Sequence, residues 1–326
     1  MTHVTVTERW QVWNGLRYRV WERPVPGSAT PPLVLIHGYA ACVEQWGRFI
    51  RDIGPDVPVY ALDLIGFGEA SKPRDAVYGR AFYLAQLEHF RNAYGLARVV
   101  VVGHSLGGML GVEWAAEQPD AITSVIALAP GGLLSGDEFS PRQQAIIEKL
   151  ATPAMIRLLF GVVTHLPYRI LSAPAYADRA AMEPYTQAAI RRALRSPGAV
   201  WSYSAMIRYQ AAFHIVADTA TVRCPLHIIW GTRDVQVSRV EIEALARRFP
   251  RITLTELDGG GHCVHEERSR EVAAEVRMLL VADGLLDPVP APIILFHDRL
   301  DGNNRPRNCG GGQRAPDRLS TDHSRG

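Results

Sequence analysis

Gly103-His104-Ser105-Leu106-Gly107 carry the clearest chemical potential in the chain. They follow the apolar run Val99-Val100-Val101-Val102 directly and precede a helix-like stretch over residues 106–118. A serine between a strand and a helix stands on a sharp turn, an elbow, that presents its hydroxyl to a substrate. Four valines in succession read as a strand buried on both faces. The stretch after the serine keeps small and apolar residues to one side, as a packed helix does. Glycine at 103 and 107 suits a strained turn across which larger side chains would collide. The chemistry such a serine could do is nucleophilic attack on an acyl carbon.

A serine hydroxyl is a weak nucleophile at neutral pH and needs a base within hydrogen-bond reach. The usual base is a histidine oriented by a carboxylate. Of the eleven histidines, His262 is preferred. Gly259, Gly260 and Gly261 precede it after strand-like residues 252–257 and leave a loop free to turn inward. His265 is the rival, but it precedes Glu266-Glu267 and reads as the start of the last helix. His104 adjoins the serine, and a sequence neighbour points away at a tight turn, so it is expected to be structural. For the carboxylate, Asp234 follows strand-like residues 226–230 through Gly231-Thr232-Arg233, while Asp63 follows residues 57–62 and competes on position alone. The carboxyl ends of strands in an open α/β sheet face one crevice, which brings 105, 234 and 262 together. The oxyanion created by attack needs preorganised N–H donors, and the Leu106 amide at the positive end of the elbow helix is one.

The elements that must position these residues can be read around them. Residues 5–12 and 16–22 are strand-like and separated by Asn14-Gly15, a hairpin signal. Strand 33–37, a helix over 43–53, strand 57–62 and a helix over 80–94 ending at Gly95 come next. The elbow strand and its helix follow, then strand 124–128. This alternation predicts a parallel sheet wrapped by helices. It stops over 133–221, where the segments are helix-like: Ser140-Pro141 as a helix start, then 154–160, 183–194 and 199–213. The sheet pattern resumes with strand 226–230, a helix near 239–248, strand 252–257 and a closing helix over about 266–281.

In this order the motifs resemble the capped branch of the α/β-hydrolase superfamily, from about Leu16 to Leu280. The resemblance rests on His37-Gly38 after the third strand and Asp63-Leu64-Ile65-Gly66-Phe67-Gly68 after the fourth. Gly103 to Gly108, Gly231-Thr232-Arg233-Asp234 and Gly259-Gly260-Gly261-His262 follow the fifth, seventh and eighth. It implies an α/β fold with a mostly parallel eight-stranded sheet and a helical cap inserted after the sixth strand. Residues 1–132 and 222–284 would form the main domain, 133–221 the cap, and 285–326 a disordered tail. It implies the catalytic set Ser105, Asp234 and His262, with Asp63 stabilising a loop and His37 shaping the oxyanion loop. The residue after His-Gly, here Tyr39, would supply the second oxyanion N–H beside Leu106.

Composition sets the bounds. Hydrophobic residues make up 47% of 326, an ordinary globular share. The net charge of +2 comes from the end: removing the six arginines and four aspartates from Phe296 onward reduces 35 basic and 33 acidic residues to 29 of each. A neutral body gives no electrostatic reason to expect nucleic acid. No run of 18 apolar residues suggests a membrane span, and the alternating start has no apolar signal core, so a cytoplasmic location is expected. Cys42, Cys224, Cys263 and Cys309 show no metal or disulfide spacing. Gly302-Asn303-Asn304 and Cys309-Gly310-Gly311-Gly312 read as disordered, around an apolar island at 292–296. The apolar segment 155–163 is expected to pack the cap or roof the serine, and Arg191, Arg192 and Arg195 to be solvated.

The expected activity is that of a serine carboxylesterase acting on a small apolar ester and water, with no cofactor and no metal. Two alternatives stand beside it. Carbon–carbon bond hydrolases of ring-fission dienoates share serine, cap and layout, though they often carry tryptophan after the histidine, where this chain has Cys263. A triad-containing ligand receptor is the alternative from another class. Aspartate-nucleophile branches, the haloalkane dehalogenases and epoxide hydrolases, are disfavoured by Ser105.

Overall fold

The computed structural model describes residues 6–131, 149, 152–163, 175–209, 217, 220–249 and 251–288. Ser140-Pro141, residues 210–213 of the expected third cap helix, Cys309 and the apolar island at 292–296 lie outside them. The described residues up to Asp287 belong to one compact unit.

Eight strands form one sheet: β1 (Thr7–Trp13), β2 (Leu16–Arg23), β3 (Leu33–Ile36), β4 (Val59–Leu62), β5 (Val99–His104), β6 (Ile122–Leu128), β7 (Leu226–Gly231) and β8 (Ile252–Leu257), in the spatial order β1-β2-β4-β3-β5-β6-β7-β8. The β1–β2 hairpin pairs antiparallel and β2 joins β4 antiparallel, whereas every pairing from β4 through β8 is parallel. The expected α/β architecture is therefore present. The valines of β5 show why the run is unbroken. Val99 and Val101 enter the core on one face of the sheet, and Val100 and Val102 enter the core on the other. Period-two alternation with helices on both sides demands apolar side chains at every position.

The helices are α1 (Gly47–Asp52), α2 (Arg80–Ala93), α3 (Leu106–Glu117), α4 (Pro153–Val163), α5 (Pro184–Arg195), α6 (Ala199–Tyr209), α7 (Arg239–Arg248), α8 (Val264–Glu267) and α9 (Ser269–Ala282). Between β6 and β7 the described residues hold α4, α5 and α6 and no strand. Two helices differ from expectation. The segment read as one helix over 43–53 is a 3-10 turn, Val43–Trp46, followed by α1. Its first N–H, that of Val43, donates to Asp63 Oδ1 at 2.9 Å, which tightens the start. The closing helix begins earlier, at Val264, and breaks at Arg268, whose guanidinium donates to the Asp258 carbonyl at 2.8 Å. At the C-terminal end, Leu285 and Leu286 pack against the core, past the boundary expected at 284.

Charge is buried beneath this frame. Arg19 on β2 is 3% exposed; its Nη2 pairs with Glu44 Oε2 at 2.6 Å and its Nε with Asp63 Oδ2 at 3.0 Å. Arg192 on α5 is solvated as expected, and from there it also meets Glu69 Oε1 at 3.1 Å and Glu44 Oε1 at 3.6 Å, in the loop after β4 and the 3-10 turn. Removing one partner of a buried pair strands the other charge away from water. Arg19→Leu is accordingly expected to lower the unfolding free energy by about 3–5 kcal/mol, read by chemical denaturation. A loss below about 1 kcal/mol, typical of exposed pairs, would contradict this.

Candidate active site

Ser105 takes φ 50° and ψ −116° between β5 and α3, a left-handed conformation that non-glycine residues seldom adopt. The surroundings hold it there. Its N–H donates to the Leu128 carbonyl at 2.9 Å, and its carbonyl accepts from Gly108 and Met109 at 2.9 and 3.1 Å. A Cβ on Gly103 would run into the Gly107 carbonyl, and one on Gly107 into the Ile36 carbonyl. The two glycines let the elbow backbone close on itself and on β3. The N–H groups of Tyr39 and Leu106 donate to no described residue.

Asp234 and His262 arrive from the ends of β7 and β8, both buried. His262 Nδ1 lies 2.8 Å from Asp234 Oδ2, and the other carboxylate oxygen accepts from the Gln236 and Val237 N–H groups at 2.7 and 3.0 Å. With Nδ1–H donating to Asp234, the lone pair of the neutral ring sits on Nε2. The Asp234 turn is fixed downstream by α7, where Ser238 and Glu241 cap each other reciprocally. The histidine loop is held from several sides. The Arg233 N–H donates to the Gly260 carbonyl at 2.8 Å, the Cys263 N–H to the Ala175 carbonyl at 2.9 Å, and the Gly261 N–H to Glu267 Oε1 at 3.1 Å.

The rivals sit elsewhere. Asp63 accepts from Val43 N–H, Glu69 N–H and Arg19, which anchors the loop after β4. His265 is buried against Trp46 and His104, with ring centroids 4.6 and 4.4 Å away, and burial pushes it down to about 3. His104 Nε2 lies 3.0 Å from the His262 carbonyl, so the serine's neighbour braces the histidine loop. His37 donates from Nδ1 to the Gly38 carbonyl at 2.7 Å and accepts at Nε2 from Leu64 N–H at 3.0 Å, joining the loops after β3 and β4.

Ser105, His262, His104 and Tyr39 line one cavity of about 220 Å³. Its other walls include Gln45, Tyr176, Met182 and Ile190, none of them singled out in the sequence. They come from the 3-10 turn, the segment before α5, and α5, and nothing in their local sequence marks them. Among the described residues no group of three His, Cys, Asp or Glu side chains could hold a metal ion. On α4, Ile156 joins the core while Met155, Leu158 and Leu159 are exposed, and none of these four lines the cavity.

Glu266, behind the cavity, accepts from Tyr176 Oη at 2.6 Å and Gln45 Nε2 at 2.9 Å. Burial pushes its carboxyl up to about 8. An unfolded glutamate ionises near pH ~4.3, so between there and about 8 the unfolded chain binds fewer protons than the folded one. Stability then falls as pH rises, at up to ~1.4 kcal/mol per pH unit. Glu266→Gln keeps an acceptor for both contacts and removes the titration. Its melting temperature is expected to gain on wild type steadily between pH 5 and pH 8. A gap independent of pH would assign the effect to another group.

The family model described as alpha/beta hydrolase fold matches residues 31–269, and the chain belongs to that family. Over 140 residues it is 31% identical to 1-acylglycerol-3-phosphate O-acyltransferase ABHD5 of Rattus norvegicus, covering 42% of this chain and 38% of that protein. The chain therefore spans well under half the length of the curated relatives it matches at this level. A membrane phospholipase A, described as a novel bacterial virulence factor, is similar with a TM-score of 0.66 and 22% identity over 86% of this chain and 87% of that one. The epoxide hydrolase CorEH reaches a TM-score of 0.70 with 18% identity over 85% and 99%. These two structures share the fold. Among the described residues no helix is long and apolar enough to cross a membrane.

Proposed function

We propose that the protein is a serine hydrolase of carboxylic esters, acting on a small, largely apolar acyl ester with water and without cofactor. The observation that carries the reading is the strained Ser105 in the same cavity as a histidine paired to a carboxylate at 2.8 Å. Ser105 Oγ attacks the ester carbonyl while His262 Nε2 removes its proton. Asp234 holds the tautomer and stabilises the imidazolium. The Tyr39 and Leu106 N–H groups receive the oxyanion, Leu106 with the help of the α3 dipole. His262 returns the proton to the leaving alkoxide, and a water molecule, deprotonated by the same ring, releases the acyl group.

The cavity supports an acyl group of small size, since Ala40, Met182 and Ile190 give it apolar walls and its volume lies below the ~300 Å³ at which ligand pockets usually begin. The names of two relatives, an acyltransferase and a phospholipase, also concern acyl groups. The residues of the β6–β7 insertion that reach the cavity act, in this reading, as a cap. A panel of p-nitrophenyl acyl esters beside a ring-fission dienoate, assayed with wild type and Ser105→Ala, tests the assignment. Ester turnover lost in the variant is expected. Dienoate cleavage with no ester turnover would move the protein to the carbon–carbon hydrolases.

A further inference from the structure

One wall of the cavity has no part in ester cleavage itself. Gln45 from the 3-10 turn, Tyr176 from the insertion and Cys263 after the histidine form it, with Glu266 behind. Gln45 is 5% exposed. Its Nε2 donates to Glu266 Oε1 at 2.9 Å and stands 4.0 Å from Cys263 Sγ. Its Oε1 is buried and has no hydrogen-bond partner among the described residues. A buried amide oxygen left unpaired carries its desolvation penalty in full, and such orphans in native proteins call for a partner. Tyr176 Oη cannot serve as that partner without leaving Glu266, to which it donates at 2.6 Å. Turning the amide over would only exchange which end is orphaned.

The missing partner must be small, because the cavity is about 220 Å³ and the acyl group shares it. It must be neutral, because none of the side chains that line the cavity is a Lys, Arg, Asp or Glu that could balance a charge. A hydroxyl meets both conditions, and with Nε2 held on Glu266 it donates to Oε1.

We propose that Gln45 is a specificity-determining residue that accepts a hydrogen bond from a hydroxyl on the substrate's acyl group, so that the preferred substrates are hydroxyacyl esters. The proposal rests on the esterase reading and narrows its substrate class. A site built to pair a substrate hydroxyl discriminates strongly against the analogue that lacks it, because its own polar group is then left unpaired.

The test compares p-nitrophenyl esters of butyrate, 2-hydroxybutyrate, 3-hydroxybutyrate and 3-methoxybutyrate in the full-length protein. One hydroxy ester is expected to exceed butyrate by ~10-fold or more in kcat/KM, about what one paired buried acceptor contributes. The methoxy ester, which has no hydrogen to donate, is expected to fall to butyrate or below. In Gln45→Met the ratio of hydroxy ester to butyrate should collapse to within about twofold of unity, and taking a ratio cancels losses common to all esters. If Gln45→Met does not fold, the wild-type hydroxy-to-methoxy ratio decides alone. Equal kcat/KM for all four esters in wild type, or a hydroxyl preference that survives in Gln45→Met, would overturn the proposal while leaving the esterase reading intact. Failure of wild type to cleave any of the four would instead remove the esterase reading on which it rests.

Discussion

Ser105→Ala is expected to abolish ester hydrolysis, with a fall in kcat approaching the ~10⁶-fold seen when a triad serine is removed. The size follows from the role: without Oγ there is no acyl-enzyme, and the remaining donors can only polarise a carbonyl toward water. Folding should survive. Alanine keeps the Cβ and the elbow contacts, including the Ser105 N–H to Leu128 carbonyl bond at 2.9 Å, and the far-ultraviolet spectrum and melting temperature check this. More than a tenth of wild-type activity in a folded variant would place the nucleophile elsewhere.

The second large effect separates His262 and Asp234 from their neighbours. Asp234→Asn should lower kcat about 10⁴-fold, because an amide that donates toward Nδ1 selects the wrong imidazole tautomer. His262→Ala should fall as far as the serine variant. His265→Ala is expected to leave kcat within a few-fold of wild type and to act instead on stability, since His265 fills the core beside Trp46 at 4.6 Å. The contrast is the content of the prediction. A dead His265→Ala with an active His262→Ala would invert the assignment of the loop after β8.

How much was legible in the sequence follows from which signals are local. The β5 valines announce a strand buried on both faces because alternation alone requires it, and the elbow glycines announce a turn because no larger residue fits there. Asp234 and His262 could be selected because parallel strands deliver their carboxyl ends to one side, a consequence of topology rather than of neighbours in sequence. Gln45, Tyr176 and Glu266 were not legible. Glu266 reads as a helix-surface acid, and only tertiary packing buries it against Tyr176 and Gln45. Arg19 had the same difficulty. On an alternating strand near the start of the chain it looks solvated, yet it meets Glu44 and Asp63 from other elements in the interior. Helix boundaries failed for a related reason. Asp63 captures the Val43 N–H, and no reading of 43–53 by itself contains that bond.

The central claim, an acyl-enzyme on Ser105, is tested most directly by rapid acid quench of the protein turning over p-nitrophenyl butyrate, followed by peptide mass mapping. The expected result is a single butyryl group on the peptide containing Ser105, absent from Ser105→Ala and appearing with a burst of p-nitrophenol. Steady ester turnover with the acyl group on another residue, or turnover that persists in Ser105→Ala, would contradict it.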